Sequence, residues 1–316
     1  MIKTFSYETK KELVRLPAGE PECALAELSA IIHTGGELGI TSIGCYIEIV
    51  SDNELLRRRV DLLLEKLYGV ASELTNFEGG LKNQRCQLRV TGEIAARILF
   101  DCSLLRFNRD NLTELVAGID SYLVGERASI ESYIRGAFLG AGSVSVPKKG
   151  GKGGYQLAFN VSNGELASDL QHLLAEVEIV SGSIAAKGGF IVYLKGHGAL
   201  SDALALMGAG NAVLRLNSAV AERNMRNKVN RQTNFIGANL GRSSAAAAAQ
   251  VCAIRAIEST AGLESLPEEL RELAEIRLKY PEYSMAEILP LLKGGITKSG
   301  VNHRFERLIK IANEHI

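Results

Sequence analysis

Long apolar runs are missing from this 316-residue chain: none approaches the ~20 residues that span a bilayer. The first residues, MIKTFSYETKKEL, lack the apolar core of a secretory signal. Neither membrane insertion nor export is expected, and a cytoplasmic location is. Cysteine is sparse and unpatterned: Cys23, Cys45, Cys86, Cys102 and Cys252 are odd in number and never spaced C-x-x-C. That pattern argues against a zinc site or a disulfide framework and predicts reduced thiols in the core. The five histidines form no ligand cluster, so no metal and no cofactor is expected. Net charge is absent as well, since 36 Lys+Arg balance 36 Asp+Glu.

The balance is not uniform along the chain. Residues 1–214 hold 21 basic against 25 acidic side chains. Residues 215–242 hold six basic residues and one acid, Glu222, and residues 293–310 hold five and one, Glu306. Positive charge gathered in the last third points to a polyanion partner, with a solvated basic face as the alternative. An apolar content of 46% and a charged content of 23% are ordinary for a globular protein. The length suits two domains.

Two stretches, ELSAIIHTGG (27–36) and YIRGAFLGAG (133–142), read as one helical motif written twice. Each is apolar, holds small residues and ends in glycine. Ser29 and Ala30 in one copy, and Gly136 and Ala137 in the other, suit close approach of two helix backbones about a pseudo-twofold axis. The pattern resembles the paired helices of LAGLIDADG homing endonucleases, in which the residue before the last glycine is a metal-binding aspartate. Here those positions are Gly35 and Ala141. After Glu131 no Asp or Glu occurs until Glu165, so no nearby carboxylate substitutes in the second copy. Divalent cations need oxygen-rich, preferably anionic ligands. No catalytic residue is expected, and a binding platform is a better reading than an enzyme.

The segments downstream of the two motifs are duplicated as well. CYIEIV (45–50) and YQLAFNV (155–161) alternate as strands, and SDNEL (51–55) and SNGEL (162–166) open helices with Ser-x-x-Glu capping boxes. One further strand per copy, RCQLRV (85–90) and GFIVYLK (189–195), leads into another helix. Helix–strand–strand–helix–strand–helix, twice, is an internal repeat. The segment PKKGGKGG (147–154) sits where a turn would join two strands of the second copy; it reads as a solvated loop or as a basic tip touching phosphate. It is not a phosphate-binding P-loop, because no G-K-[ST] follows a strand into a helix.

From Ala219 the texture changes. Arg223, Arg226, Lys228 and Arg231 are interleaved with Asn224, Asn227 and Asn230 over two and a half helical turns. Arginine reaches phosphates and asparagine reaches base edges, while a linker helix with a wet face is the plain alternative. SSAAAAAQVCAIRAIE (243–258) reads as a following helix by alanine propensity. A further helix carries Leu270, Leu273, Ala274, Ile276 and Tyr280 on its inner side and stops near Pro281. Ser284 and Glu287 make a capping box for SMAEILPLL, shortened or kinked by Pro290. Gly294-Gly295 then turns the chain, and Thr297 caps a last helix with Val301, Phe305, Leu308 and Ala312 on one face. Short helix, glycine turn and amphipathic helix with a basic N-terminal half form a helix-turn-helix plan.

Taken together, FSYETKKEL, YIRGAFLGAGSV, MGAGNAVLRL, RNMRNKVNRQTNFIGANL, SLPEELRELAEIRLKYPE and ITKSGVNHRFERL resemble the WhiA-type regulators of Gram-positive bacteria over nearly the whole chain. Pro290 departs from a clean leucine-rich first helix. The resemblance implies a degenerate LAGLIDADG-like domain fused to a helix-turn-helix similar to region 4 of sigma factors. It also implies a transcription factor linked to sporulation, cell division and chromosome segregation.

The expected fold is α+β: an internally duplicated LAGLIDADG-like domain with antiparallel sheets over 1–218, then an all-α helix-turn-helix domain over 219–316. The expected function is sequence-specific binding of double-stranded DNA at promoter sites, in the cytoplasm and at the nucleoid. Ser299, Asn302, His303, Arg304 and Arg307 would face bases, and Lys298, Arg223, Arg226, Lys228 and Arg231 would meet the DNA backbone. A protein-interaction platform is the competing expectation, with the duplicated domain recruiting a sigma factor or another transcription regulator. An active endonuclease is the third, and it requires magnesium-dependent cleavage.

Overall fold

The computed structural model describes residues 4–41, 44–51, 54–79, 83–147, 151 and 153–314. They form two compact units, 1–223 and 224–316. The first opens with α1 (Phe5–Leu13), capped by the Thr4 side chain, and continues into α2 (Pro21–Gly35), whose first residue is a proline preset for a helix start. Then come β1 (Gly36–Thr41), β2 (Gly44–Ser51), α3 (Glu54–Tyr68), β3 (Glu73–Gly79), β4 (Asn83–Thr91) and α4 (Gly92–Asp101). A small hairpin, β5 (Leu105–Phe107) and β6 (Thr113–Leu115), bridges to the second copy. That copy repeats the order: α5 (Arg127–Ala141), β7 (Gly142–Ser145), β8 (Gln156–Val161), α6 (Gly164–Glu176), β9 (Gly182–Ala186), β10 (Gly189–Lys195) and α7 (His197–Leu206).

Each copy builds one antiparallel sheet, ordered β1-β2-β4-β3 and β7-β8-β10-β9. Leu157, Phe159 and Val161 point inward from β8, and Val192 and Leu194 from β10, as strict alternation requires. The repeat thus holds one strand more per copy than the sequence pattern predicts. The missed strands, β3 and β9, lie at sheet edges. The β9 sequence GSIAA is almost wholly exposed, so it carries no alternating apolar signal.

The two motif helices, α2 and α5, pack side by side. A Cβ on Gly136 would strike the Glu27 carbonyl oxygen, and one on Gly140 would strike the Thr34 hydroxyl. Only glycine permits this approach. Ala30 lies at the same contact, but Ser29 does not contribute as its size suggests: its hydroxyl donates to the Cys102 carbonyl oxygen at 2.8 Å and ties α2 to the end of α4. Gly140 takes the second close-contact position, which the motif reading overlooked.

A buried ionic cluster fastens this seam. Glu27 of α2 is fully buried, and its carboxylate accepts from Arg59 of α3 through Nε at 2.6 Å and Nη2 at 2.7 Å. Arg135 of α5 donates to the same carboxylate at 3.0 Å. Arg59, also fully buried, caps the Leu16 and Pro17 carbonyls, and Arg135 reaches Ser132 Oγ at 2.9 Å. One carboxylate therefore ties three helices from both copies.

Other local expectations shift. Asn163, not Ser162, caps α6, its side chain accepting from the Leu166 amide at 2.8 Å. In the matching box at Ser51 and Glu54 the Ser51 side chain and residues 52–53 lie outside the described set, as does half of the 147–154 turn, although β7 and β8 do pair on either side of it. Of the cysteines, Cys102 is buried, Cys23 and Cys45 are half-buried and Cys252 is exposed; these four are free thiols. The Cys86 side chain is outside the described set. Core placement thus fails for Cys252, which lies on the solvent side of its helix.

The two helices expected from Ala219 to Glu258 are one, α8 (Gly210–Thr260). No proline interrupts it, and Gly237 and Gly241 each cost only about 1 kcal/mol in a helix interior. Its start is held by Glu12, whose carboxylate accepts from the Asn211 and Ala212 amides at 2.6 and 3.0 Å. The second unit adds α9 (Glu268–Lys279), α10 (Met285–Ile288) and α11 (Lys298–Glu314) to the end of α8. Its separate core joins Ile254, Ile257, Leu270, Leu273, Ile288, Val301, Phe305 and Leu308.

Replacing Glu27 by alanine leaves two arginines without their counter-charge in the seam, and is expected to cost about 3–5 kcal/mol of unfolding free energy. Urea denaturation of the variant checks this; a loss below about 1 kcal/mol would show that the seam does not depend on the carboxylate.

Candidate nucleic-acid interface

The C-terminal unit presents one helix outward. The Ser284–Glu287 capping box is present in full and starts α10, where the Ser284 amide donates to Glu287 Oε2 at 2.7 Å. These bonds hold the Glu287 carboxyl below the usual carboxylate range. Pro290 does shorten the element: α10 is four residues long and gives way to a 3-10 turn over Leu289–Leu291. Gly294 and Gly295, at φ 94° and 62°, then make a left-handed turn that side chains disfavour. The Thr297 hydroxyl accepts from the Gly300 amide at 3.3 Å and starts α11. Val301, Phe305, Leu308 and Ala312 are buried, as expected.

Arg277 locks this arrangement and escaped the sequence reading. It is buried on α9, donates to the Tyr283 carbonyl oxygen at 2.6 Å and the Pro281 carbonyl at 3.3 Å, and lies 5.0 Å from the Phe305 ring centre. It links the turn before α10 to the core side of α11. Burial lowers its guanidinium pKa from the ordinary value. Its spacing after Leu273 and Ala274 offers a helical-face signal, but arginine on such a face reads as solvated.

Of the five residues expected to face bases, four share the exposed side of α11: Ser299, Asn302, His303 and Arg307. Arg304 does not. Its half-buried guanidinium turns toward α9 and pairs with Glu269 at 2.8 Å. At about 100° per residue it lies closer to the core line than to the outer face, and the acidic start of α9 captures it. Glu306 sits among the outward residues, accepting from Asn302 Nδ2 at 2.8 Å and lying 3.8 Å from His303 Nδ1. Lys298 is exposed at the first residue of α11.

The residues expected at the DNA backbone lie on α8. Lys228 and Arg231 are exposed, and Arg226 is half-buried. Arg231 Nε donates to the Asn227 carbonyl oxygen, which lays its stem along the helix. Arg223, in the first unit, is occupied: its guanidinium lies 5.6 Å from the Tyr155 ring centre and donates to the Gly153 carbonyl oxygen at 3.1 Å. The expectation of a phosphate contact from Arg223 meets this intramolecular bracket.

At the tips of α2 and α5, Gly35 packs on Gly140, and the Ala141 carbonyl oxygen takes a 3.4 Å bond from Asn160. Among the described residues, no group of three or more His, Cys, Asp or Glu could hold a metal ion. The nearest titratable group on α2 is His33. Its Nε2 faces the Ala117 carbonyl oxygen at 3.2 Å, which only accepts, so Nε2 carries the proton and Nδ1 accepts from the Tyr133 hydroxyl at 3.2 Å. Burial pushes the imidazole pKa below its ordinary value, against the opposing pull of the Ala117 carbonyl and Asp169.

A lowered folded pKa means that the unfolded chain binds the proton more readily. The stability contributed by neutral His33 is complete above the ordinary histidine pKa and is lost as pH falls through the folded one. Urea midpoints measured across that range should decline toward acid in the parent and less in His33→Gln; identical profiles would contradict the assignment.

Known proteins share both halves of this architecture. Residues 21–105 match the WhiA N-terminal LAGLIDADG-like domain, residues 130–226 the WhiA LAGLIDADG-like domain, and residues 229–312 the WhiA C-terminal HTH domain. A protein of Bacillus subtilis (strain 168) named probable cell division protein WhiA is 36% identical over 313 residues, 98% of this chain and 96% of that protein. One of Thermoanaerobacter pseudethanolicus with the same name is 34% identical over 315 residues, covering 98% of both. The crystal structure of full-length DUF199/WhiA from Thermatoga maritima superposes with a TM-score of 0.57 at 27% identity, over 98% of each chain. The duplicated α+β domain and the helical C-terminal unit are thus the architecture of a known family, and this chain belongs to the WhiA family.

Proposed function

We propose that this protein is a sequence-specific DNA-binding transcription regulator acting in cell division, and through its family in sporulation and chromosome segregation, with no nuclease activity. In this reading it works in the cytoplasm at the nucleoid, with 1–218 as the degenerate scaffold and 219–316 as the DNA-binding part. The observation that carries it is the outer face of α11. Ser299, Asn302, His303 and Arg307 stand exposed at helical spacing while the opposite face anchors the helix in a core. A helix held in that way fits the major groove, and arginine paired with guanine or asparagine with adenine discriminates sequence. Lys298, at the first turn, suits a phosphate, as do Arg226, Lys228 and Arg231 on α8. Glu306 accepts from Asn302 and would bias the face against a nearby phosphate and toward a base amine. The absence of nuclease activity rests on Gly35 and Ala141, which offer no side-chain oxygen where the motif needs one.

A second reading has its own support. Across the outward face of the first sheet, Glu37 pairs with Glu48, Glu48 with Arg89, and Arg89 with Glu73. Three acids and one arginine in register across four strands leave this face net negative, ill-suited to a phosphate backbone. The duplicated domain would then recruit a protein, such as a sigma factor or another transcription regulator, while the C-terminal third holds DNA.

Arg307→Ala is expected to weaken promoter binding by about 1–3 kcal/mol in a gel-shift titration. Arg304→Ala is expected to act mainly on stability, by about 1 kcal/mol or less. Equal binding losses for the two would contradict the geometry, and DNA cleaved on adding magnesium would contradict the non-enzymatic reading. Deleting residues 1–218 separates the two readings: retained promoter affinity with lost regulation in cells supports recruitment, and collapsed affinity assigns DNA contact to the duplicated domain.

A further inference from the structure

The middle of α8 has two unlike faces. At about 100° per residue, Asn227, Asn230 and Asn234 fall along one line of the helix. All three are exposed, and with Asn224 and Arg231 they line one shallow recess. Arg226 lies about 70° to one side of that line and Arg231 about 70° to the other. Met225, Val229 and Ile236 occupy the opposite face.

Helix building does not account for the asparagines. Asparagine is among the weaker helix formers, because its amide competes for backbone groups. Among the described residues, no side chain hydrogen-bonds to the amides of Asn230 or Asn234. Every described side chain from Asn227 to Ala246 is exposed, so none of the described residues of the C-terminal unit covers this face.

The arrangement has the dimensions of a groove reader. From Asn227 to Asn234 the helix rises about 10 Å, the span of about three base pairs. A helix is about 10–12 Å across with side chains, and the major groove of B-DNA is about 12 Å wide. A ladder of amides at the centre would meet base edges, and a cation on each side would meet the phosphates of the two groove walls. The deep, narrow major groove of A-form RNA would not admit it.

We propose that this face of α8 is a second base-reading element. The amides of Asn227, Asn230 and Asn234 take base edges in the major groove, with adenine as the preferred base, because one amide can both accept from N6 and donate to N7. Arg226 and Arg231 take the flanking phosphates. The proposal rests on the reading of this chain as a double-stranded DNA binder and adds a reading element separate from α11, so the bound site is bipartite.

The test uses the full chain and a duplex library with a randomised core. Wild-type protein selects a site, and its affinity for that site and for an unrelated duplex is then measured against salt. The triple variant Asn227→Ala, Asn230→Ala, Asn234→Ala keeps or raises helix content, since alanine is the better helix former, and circular dichroism confirms that. It is expected to bind the selected site at least tenfold more weakly, with unrelated DNA and the salt slope unchanged. Arg226→Ala with Arg231→Ala is expected to flatten the log–log salt slope by about two, leaving the preference for the selected site intact. An unchanged preference in the triple variant overturns the proposal. If Arg307→Ala erases the preference and the triple variant does not, α11 alone reads sequence. If the triple variant erases it and Arg307→Ala does not, the α8 assignment stands and that of α11 falls. A wild-type protein that selects no site overturns both.

Discussion

Glu27 is the residue on which the duplicated half turns. It brings one buried negative charge to the place where α2, α3 and α5 meet, and two arginines, Arg59 and Arg135, answer it from opposite copies of the repeat. Burying such charges is expensive unless each is paired and its remaining hydrogen-bonding capacity is used. Here the guanidiniums are also spent on backbone carbonyls and on Ser132, so the cluster specifies one registry of α2 against α5. Glycines at 136 and 140 then allow the backbones to touch. The acid lies on a motif helix, yet about 12 Å of helix rise separates it from Gly35. The carboxylate that this helix retains holds the fold together, and the tip where a metal ligand would stand carries none. Tyr133 occupies the matching motif position in the second copy and closes a different polar contact, with His33.

Much of this fold was legible in the chain. The twice-written helix, the alternating strands at 45–50, 155–161 and 189–195, and the capping box at Ser284 all rest on local rules of periodicity and capping, and local rules survive folding. The edge strands β3 and β9 were not legible, because an edge strand with small or polar residues has no alternation to read. Nor was the Glu27 cluster, since nothing local to Glu27, Arg59 or Arg135 distinguishes them from solvated charges; only their meeting in three dimensions does. The long α8 was divided at a change of composition that the backbone does not follow.

The candidate site shows the same division. A helical wheel separates the core line of α11 from its outer line, and Val301, Phe305, Leu308 and Ala312 fall as the wheel requires. Residues between those lines are decided by the neighbour. Arg304 meets Glu269 and turns inward; Arg307 meets no such acid among the described residues. Arg277 and Arg223 repeat the lesson, each being a basic side chain that packs on an aromatic ring and donates to backbone carbonyls. Positive charge in the last third pointed to DNA, but charge alone does not say which cations are free to meet it.

Recognition of particular DNA sequences in the cell is the property on which the functional reading depends. Its most direct test is a genome-wide map of DNA bound by the full-length protein in its own host. The account predicts discrete peaks at promoters that share a sequence motif. Uniform coverage, or peaks with no common motif, would contradict it.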